Sequence, residues 1–279
     1  MSDIGIELLS VFGMPPLEFV RLAADLGCRH ISCGLESGPP GPLGYPPYSL
    51  REDAALRREM IAAMRDQGVS IALGEGMNIR AGLDIRDRAT DLALMAELGV
   101  RRINTVSLDP DLSRSVDQFA ALAELAAAHG METTVEPSPG LTVGDLPTAL
   151  DVIDRIGRPD FRLLIDSMHI LRSGATPADL ARVDPDRIGY IQLSDAPVVA
   201  TDPNYMNEAM FDRRIPGDGE LPLLELLRVL PRDRVIGLEI PLRATAVAGV
   251  DAHHRLRPAV DATRALLAEL AADDDRTPV

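Results

Sequence analysis

Short apolar runs alternate along the whole chain with longer stretches in which apolar positions recur every three or four residues. The short runs are rich in Ile, Val and Leu without strict alternation, a pattern typical of parallel strands buried on both faces. Eight strands are predicted: Ile4–Leu8, His30–Cys33, Val69–Leu73, Arg102–Val106, Glu132–Glu136, Phe161–Asp166, Ile188–Gln192 and Val235–Glu239. The longer stretches predict amphipathic helices, several of them followed by glycine: Pro15–Leu26, Leu50–Gln67, Asp84–Leu98, Ser113–His129, Val143–Ile156, Pro177–Val183, Leu221–Leu230 and Asp251–Ala272.

The regular succession of strand and helix predicts an α/β fold with a parallel sheet. A doubly wound open sheet would show the same succession. However, no G-x-G-x-x-G follows the first strand, and polar side chains end strands along the whole chain. These features favour a single (β/α)8 TIM barrel over residues 1–279, with no domain boundary. Two long loops rich in Pro and Gly, Glu36–Ser49 and Ser194–Gly219, are expected on its catalytic face.

Four of the predicted strands end on a side chain that carries oxygen, namely Glu136, Asp166, Gln192 and Glu239. An unpaired charge in a core costs several kcal/mol, whereas such side chains face the active site at the carboxyl ends of barrel strands. For any one carboxylate alone, a structural role as a loop cap or an arginine partner is as good an explanation as a metal site, but four such side chains at equivalent positions favour one shared site. Oxygen ligands suit Mg²⁺ or Mn²⁺. The sequence therefore predicts a divalent metal ion at these residues, with Co²⁺, Ni²⁺ and Zn²⁺ as alternatives.

Three further side chains are candidates for catalysis or substrate binding. His169 follows Asp166 by three residues, where a neutral imidazole can hydrogen-bond a substrate hydroxyl or a ligand carboxylate. Arg213 and Arg214 precede a Pro-Gly turn in the second long loop, where a guanidinium can bind a substrate carboxylate, phosphate or enolate oxygen. A surface ion pair is the alternative for one of the two arginines. Other polar residues near strand ends are supporting candidates or paired carboxylates: Glu7, Glu36, Glu75, Asp109, Ser194 and Asp195.

Composition narrows the function classes. The net charge of −15 argues against nucleic-acid binding, and no apolar run reaches the ~18 residues of a membrane span. All 28 basic residues are arginine, so lysine Schiff-base chemistry is excluded. The N-terminus lacks a signal-peptide pattern, and Cys28 and Cys33 are expected to be reduced thiols. We therefore expect a cytoplasmic protein, and a homo-oligomer remains open.

Several motifs resemble the xylose isomerase-like barrel superfamily of sugar-phosphate isomerases and epimerases. They are V-E-P at Glu136, L-I-D-S-M-H-I-L-R-S-G around Asp166, Y-I-Q-L-S-D-A-P around Gln192, R-R-I-P-G-D-G-E from Arg213, and G-L-E-I at Glu239. The resemblance covers nearly the whole chain and is specific in its second half. It implies that Glu136, Asp166, Gln192 and Glu239 are metal ligands and that His169 and Arg213 face the substrate. Some members carry His at the position of Gln192, which loosens the analogy to the epimerases.

The resemblance also implies a reaction. A metal-assisted enzyme of this kind would use Glu136 or Glu239 to remove a proton next to the carbonyl of a small polar hydroxy-carbonyl substrate. His169 and Arg213 would stabilise the resulting enediolate. Isomerisation or epimerisation of a sugar or sugar phosphate is the first expectation. The alternatives are a metal-dependent dehydratase of the 3-dehydroshikimate dehydratase kind, and a non-catalytic barrel that binds a ligand.

Overall fold

The computed structural model describes residues 3–37 and 43–276, in which eight parallel strands close into a barrel. The strands are β1 (Ile4–Ile6), β2 (His30–Cys33), β3 (Ser70–Gly74), β4 (Arg102–Thr105), β5 (Glu132–Val135), β6 (Phe161–Asp166), β7 (Ile188–Leu193) and β8 (Ile236–Leu238). Each strand pairs with the next one along the chain, and β8 pairs with β1, where Gly237 lies opposite Gly5. The predicted (β/α)8 barrel is therefore confirmed.

Helices follow the strands and cover the barrel with their apolar faces. In the described residues they are α1 (Pro16–Asp25), α2 (Ala54–Gln67), α3 (Ala89–Glu97), α4 (Leu112–Ala128), α5 (Leu146–Ile156), α6 (Ser167–Arg172), α7 (Pro177–Leu180), α8 (Tyr205–Phe211), α9 (Leu223–Val229), α10 (Arg243–Val247) and α11 (Ala252–Arg276). Local sequence sets their ends. For example, the Asp53 carboxylate caps α2 by accepting from the Ala55 and Leu56 amides, and Gly68 ends this helix at a φ of 66°.

The structure corrects several predicted boundaries. The strand predicted over Ile4–Leu8 ends at Ile6, because Leu8–Val11 forms a 3₁₀ helix. Glu136 and Glu239 follow β5 and β8 by one residue and do not end these strands. The helix predicted over Asp84–Leu98 begins as a 3₁₀ turn, Ile85–Arg88, before α3. Part of the predicted loop Glu36–Ser49, residues 38–42, lies outside the described residues.

Two short helices at the barrel mouth were missed from the sequence. Helix α6 begins immediately after β6, because the Asp166 side chain caps it by accepting from the His169 amide. Helix α8 lies inside the loop Ser194–Gly219, where abundant Pro and Gly predicted no regular structure. These helices carry side chains to the carboxyl ends of the strands.

Buried polar side chains join the aliphatic core where the barrel interior meets this mouth. The Tyr190 hydroxyl donates to Oε1 of Glu7 at 2.7 Å, and both residues are buried. Gly237 makes space for this pair, since a Cβ at Gly237 would lie 1.6 Å from Glu7 Oε1. Cys28 and Cys33 are free, buried thiols, as expected. Across residues 3–37 and 43–276, we find no helix with the length and apolarity that crossing a bilayer requires.

Candidate active site

The four predicted metal ligands lie together at the carboxyl ends of β5 to β8. Asp166 and Gln192 are opposite each other in the register of β6 and β7. Gln192 Nε2 donates to Glu239 Oε1 at 3.4 Å. Ligating atoms of Glu136, Asp166 and His169 all lie within 4.8 Å of one another. This group of three contains His169, which the sequence placed on the substrate side of the site.

Arg213 contacts two of these carboxylates. Its Nη1 lies 2.5 Å from Asp166 Oδ2, and its Nη2 lies 2.6 Å from Glu239 Oε2. The guanidinium is 2% exposed and also donates through Nε to the Ala209 carbonyl at 2.7 Å. The neighbouring carboxylates raise the pKa of Arg213 despite its burial, so the group remains a cation. Arg213 therefore provides positive charge inside the site.

Arg214 does not join this group. Its side chain is exposed, and Nη1 donates to the backbone carbonyl of Asp218 at 3.1 Å. Successive side chains of an extended segment point to opposite sides, which separates Arg214 from its neighbour Arg213. A role for Arg214 in substrate binding remains a prediction.

His169 is buried between the carboxylates and α8. Its Nε2 lies 3.5 Å from Glu136 Oε1, and its Nδ1 lies 2.5 Å from the Tyr205 hydroxyl oxygen. Burial lowers the pKa of His169 to about 4, although the Asp166 carboxylate acts in the opposite direction. The imidazole is therefore neutral at physiological pH, as the sequence predicted for a side chain that donates or accepts hydrogen bonds.

Two more acids and one amide complete the site. Asn104 Nδ2 donates to Glu136 Oε2 at 2.8 Å, and the Asn104 Oδ1 accepts from Thr134 Oγ1 at 3.3 Å. Glu7 follows β1 and Glu75 follows β3, so both occupy the position that Glu136 has after β5. Burial raises the pKa of Glu7 and, more strongly, that of Glu75. We refer to Glu7, Glu75, Glu136, Asp166 and Glu239 as the acid cluster.

The acid cluster holds more carboxyl groups than its surroundings could balance if all of them were ionised. Arg213 is the cation in contact with it among the described residues, and His169 is neutral. Burial raises the pKa of Glu136 to about 7. Burial is also the main reason that the pKa of Glu239 lies well above its usual value. Gln192 Oε1 is buried without a hydrogen-bond partner in the described part of the chain. Crowded carboxylates and an unpaired amide oxygen are features that a divalent cation would satisfy.

This electrostatic imbalance predicts an unusual pH dependence of stability. The folded-state pKa of Glu136 is about 7, above the ordinary 4.5, so its stabilising contribution is lost as the pH rises through 7. The lowered His169 pKa acts oppositely as the pH falls through about 6.5, its ordinary value, whereas the raised pKa values of Glu75 and Glu239 act in the same direction as that of Glu136. We expect metal-free protein to gain about 1 kcal/mol of unfolding free energy between about pH 8 and about pH 6.5. Urea unfolding with a chelator measures it. Glu136→Gln should reduce the gain, and an unchanged gain in that variant would assign it to other groups.

The remaining candidates from the sequence have structural partners. Asp109 is buried and paired with Arg114, and Glu36 is paired with Arg51 at 2.7 Å. Ser194 is buried, with Oγ 3.4 Å from Arg213 Nη1. Asp109 and Glu36 therefore shape loops around the site, whereas Ser194 lies against the buried guanidinium.

Asp195 fixes the loop that carries Arg213. Its carboxylate accepts from the amides of Ala196 (2.8 Å), Gly217 (2.9 Å) and Leu221 (3.1 Å). We expect Asp195→Ala to lower the free energy of unfolding by about 2 kcal/mol, because three backbone donors, of which the Ala196 amide is buried, lose their acceptor. Asp218→Ala, an exposed carboxylate of the same loop, is the control for urea unfolding. Equal stabilities of the two variants would show that the carboxylate of Asp195 does not hold the loop.

Comparison with known proteins identifies the family. A family model described as a xylose isomerase-like TIM barrel matches residues 20–267. The chain belongs to the xylose isomerase-like TIM barrel family. The match includes all four predicted metal ligands, His169 and Arg213, which confirms the resemblance seen in the motifs.

Relatives within the xylose isomerase-like family differ in their named reactions. A 3-dehydroshikimate dehydratase from Pseudomonas aeruginosa is 27% identical over 188 residues, which are 61% of this chain and 29% of the relative. An inosose isomerase from Halalkalibacterium halodurans is 25% identical over 126 residues, which are 44% of this chain and 43% of the relative. The chain thus spans less than half the length of either relative. A solved structure of the IolI protein with a zinc atom has the same fold, with a TM-score of 0.75 at 16% identity, covering 97% of this chain and 98% of that one.

Sequence reasoning missed Asn104 and Tyr205. Asn104 could have been found as a side-chain amide within the predicted fourth strand, Arg102–Val106. Nothing in the sequence marks Tyr205 as a site residue, since it lies in a long loop whose path depends on tertiary contacts. Both residues hydrogen-bond a predicted site residue, Glu136 in the first case and His169 in the second.

Proposed function

We infer that this member of the xylose isomerase-like family is a divalent-metal-dependent sugar or sugar-phosphate isomerase or epimerase. The observation that carries this inference is the acid cluster at the barrel mouth, with the unpaired Gln192 Oε1 beside it. Isomerases are among the relatives of this chain. The substrate class is a small polar hydroxy-carbonyl compound.

The side chains present fit a divalent ion. Glu136, Asp166, Gln192 and Glu239 would hold it, and their oxygen atoms favour Mg²⁺ or Mn²⁺, with Co²⁺, Ni²⁺ and Zn²⁺ as alternatives. Arg213 contacts one oxygen each of Asp166 and Glu239. The other oxygens accept from the His169 amide and from Gln192 Nε2, respectively, and each keeps a second lone pair that a metal ion could use. When bound, a divalent ion supplies Lewis acidity that lowers the pKa of a C–H bond next to a coordinated carbonyl.

The carboxylates at the site suit proton transfer. Glu136 follows β5 and Glu239 follows β8. Burial raises the pKa of Glu136 to about 7 and raises the pKa of Glu239 well above its usual value. Such carboxylates accept and return a proton close to physiological pH. One glutamate would remove the proton next to the carbonyl, and return to the adjacent carbon gives isomerisation. Return by the second glutamate to the opposite face gives epimerisation.

His169 and Arg213 would stabilise the negative charge that develops on the substrate oxygen. Both are buried, fixed by hydrogen bonds and adjacent to the two glutamates. Preorganised donors in a buried site stabilise such charge more strongly than water does, because they need no reorganisation during the reaction. This assignment makes His169 both a catalytic and a substrate-binding residue.

A dehydratase is the second candidate. The relative from Pseudomonas aeruginosa named 3-dehydroshikimate dehydratase matches 61% of this chain, a larger share than the inosose isomerase matches. Gln192 also favours it over the epimerases, some of which carry His at this position. In this reaction the same glutamate removes the proton, and a β-hydroxyl leaves as water.

Proton NMR in D₂O distinguishes these reactions. Protein loaded with Mg²⁺ is incubated with a ketohexose, an inosose and 3-dehydroshikimate in parallel. Deuterium incorporation next to the carbonyl without loss of water supports isomerisation or epimerisation, and an aromatic product supports dehydration. Absence of exchange with every compound and each of the five metals would contradict both and favour a non-catalytic barrel.

A further inference from the structure

Helix α8 contacts both residues to which the proposed function gives charge stabilisation. The hydroxyl oxygen of Tyr205, the first residue of the helix, lies 2.5 Å from His169 Nδ1. In the last turn of the helix, the Ala209 carbonyl accepts from Arg213 Nε at 2.7 Å. The position of α8 therefore affects the surroundings of both His169 and Arg213.

The hydrogen bond to Ala209 makes the Arg213 side chain a cap at the C-terminal end of α8. The last carbonyls of a helix have no amide partner within the helix, and an arginine side chain just beyond the end can satisfy them. Arg213 follows the last residue of α8, Phe211, by two positions. Its Nη atoms contact Asp166 and Glu239. The helix end and the two carboxylates therefore set the direction of the guanidinium together.

The main chain on each side of Arg213 is held independently of the helix. Asp212 forms a backbone bridge with Leu242, and Arg214 forms one with Asp195. These bridges fix the backbone but leave the side-chain torsions of Arg213 free to change. The direction of its guanidinium thus depends on the acceptors around its N–H groups, which form a rigid planar fork.

Apolar packing attaches α8 only weakly. Its residue Ala209 is 1% exposed and belongs to a cluster of three buried residues, with Met168 and Ala196, that is separate from the main core. Met206 and Met210 of the helix are 37% and 38% exposed. Because stabilisation by apolar contact scales with the area removed from water, such a small cluster contributes little. Polar contacts therefore have a large share in holding α8 against the barrel.

The main polar attachment of α8 is an ion pair to α6. Glu208 Oε1 lies 3.0 Å from Arg172 Nη2, and the two side chains are 1% and 8% exposed. The amide and hydroxyl of Thr201 also donate to the Glu208 carboxylate, at 3.3 and 3.4 Å. Loss of one partner of a buried ion pair is costly, because the other charge stays without water or a counter-charge. Arg172 ends α6, the helix that Asp166 caps, so the pair connects α8 to the site.

We propose that Glu208 and Arg172 are positioning residues that fix the guanidinium of Arg213 through α8. The ion pair holds the helix, the helix end presents the Ala209 carbonyl, and that carbonyl directs Arg213 Nε. The guanidinium is thereby kept in place before any substrate binds. The positioning stands independently of the reaction, and only its effect on turnover rests on the proposed function.

Hydrogen exchange at arginine Nε–H groups, followed by NMR of ¹⁵N-labelled protein, reports this positioning directly. Exchange of a buried, hydrogen-bonded N–H requires local opening, so its rate follows the opening equilibrium. Glu208→Gln keeps the size of the side chain but removes the charge that pairs with Arg172. We expect exchange at Arg213 Nε–H to become about tenfold faster or more, the factor that a hydrogen bond to a charged group contributes. Spectra are recorded with a chelator and with Mg²⁺, and Arg213→Lys identifies the signal.

Two controls belong to the same experiment. Arg255 is 3% exposed, and its Nε donates to the Val250 carbonyl at 3.2 Å. Its signal, identified with Arg255→Lys, should keep its exchange rate within about twofold in Glu208→Gln, because local opening of α8 does not involve it. Glu97→Gln makes the same chemical change in another arginine pair between helices, since Glu97 Oε2 lies 3.0 Å from Arg57 Nε. This variant should leave the exchange at Arg213 unchanged.

Arg172→Met tests the ion pair from its other side. It should accelerate the exchange at Arg213 to a similar extent as Glu208→Gln. The double variant should exceed the faster single variant by no more than about twofold, because both changes remove one interaction. Multiplied effects in the double variant would show that the two residues act separately and would overturn the proposal.

Two other results would overturn it as well. Unchanged exchange at Arg213 in both single variants would show that Asp166 and Glu239 hold the guanidinium without the helix. Equal acceleration at Arg213 and Arg255 would show that the ion pair supports the whole barrel and does not position one side chain.

Turnover separates this proposal from the proposed function. In Glu208→Gln, kcat should fall with little change in KM, because a displaced guanidinium no longer stabilises the charge that develops during the reaction. Faster exchange at Arg213 in a protein whose wild type shows no turnover would support the positioning and contradict the proposed reaction. The two failures are therefore distinguishable.

Discussion

Glu136→Gln is expected to lower metal-dependent turnover by about 10³-fold or more. The substitution keeps the size of the side chain but removes both the proton acceptor and an anionic oxygen of the acid cluster. Asn104 Nδ2, which donates to Glu136 Oε2 at 2.8 Å, retains an amide oxygen as its acceptor, so the site keeps its shape. The measurement is the rate of deuterium exchange in D₂O with whichever compound the wild type accepts.

Glu132→Gln provides the matched control for this variant. Glu132 begins strand β5, at the opposite end from the site, where it pairs with Arg102 at 2.9 Å. The same chemical change on the same strand should therefore leave turnover within about twofold, because partly exposed ion pairs contribute little. Retained exchange in Glu136→Gln, or an equal loss in both variants, would contradict the role of Glu136.

Asp166→Ala is expected to abolish Mn²⁺ binding and to destabilise the protein by about 3 kcal/mol. Asp166 caps α6 through the His169 amide at 2.8 Å and pairs with Arg213 at 2.5 Å, and both residues are buried. Its removal leaves the guanidinium with Glu239 as its carboxylate partner and leaves a backbone donor unpaired. Calorimetry with Mn²⁺ and urea unfolding in a chelator measure the two effects separately.

Asp166→Asn separates metal binding from stability. An amide oxygen still caps α6, so this variant should lose less stability than Asp166→Ala, while the loss of charge still weakens Mn²⁺ binding. The barrel itself should remain folded in both, because the side chain lies at a strand end and not among the aliphatic core. Wild-type affinity for Mn²⁺ in Asp166→Ala would show that the ion binds elsewhere.

The fold was predictable because each barrel strand has a local signal. The buried runs around Leu163 and Ile191 end on Asp166 and Gln192, and their register places these two side chains opposite each other. Closure of the barrel brings the carboxyl ends of distant strands together, so a strand-end position implied a location at the mouth. That reasoning placed Glu136 and Glu239 correctly at the mouth although their strands end one residue earlier.

The second long loop was not predictable in the same way. Its conformation depends on contacts far apart in sequence, such as the ion pair between Glu208 and Arg172. No periodic pattern marks the seven residues of α8, and Tyr205 therefore had no signal. The same limit applies to Arg213 and Arg214, because adjacent arginines are equivalent in the sequence until the loop turns one inward and the other outward.

Anomalous diffraction from crystals of the wild-type protein grown with Mn²⁺ locates the metal ion. We expect one peak within coordination distance of Glu136, Asp166, Gln192 and Glu239, and none coordinated by His169 Nε2. A map without a peak at the barrel mouth, with Arg213 still paired to both Asp166 and Glu239, would contradict it. A peak that the imidazole coordinates would contradict the oxygen ligand set.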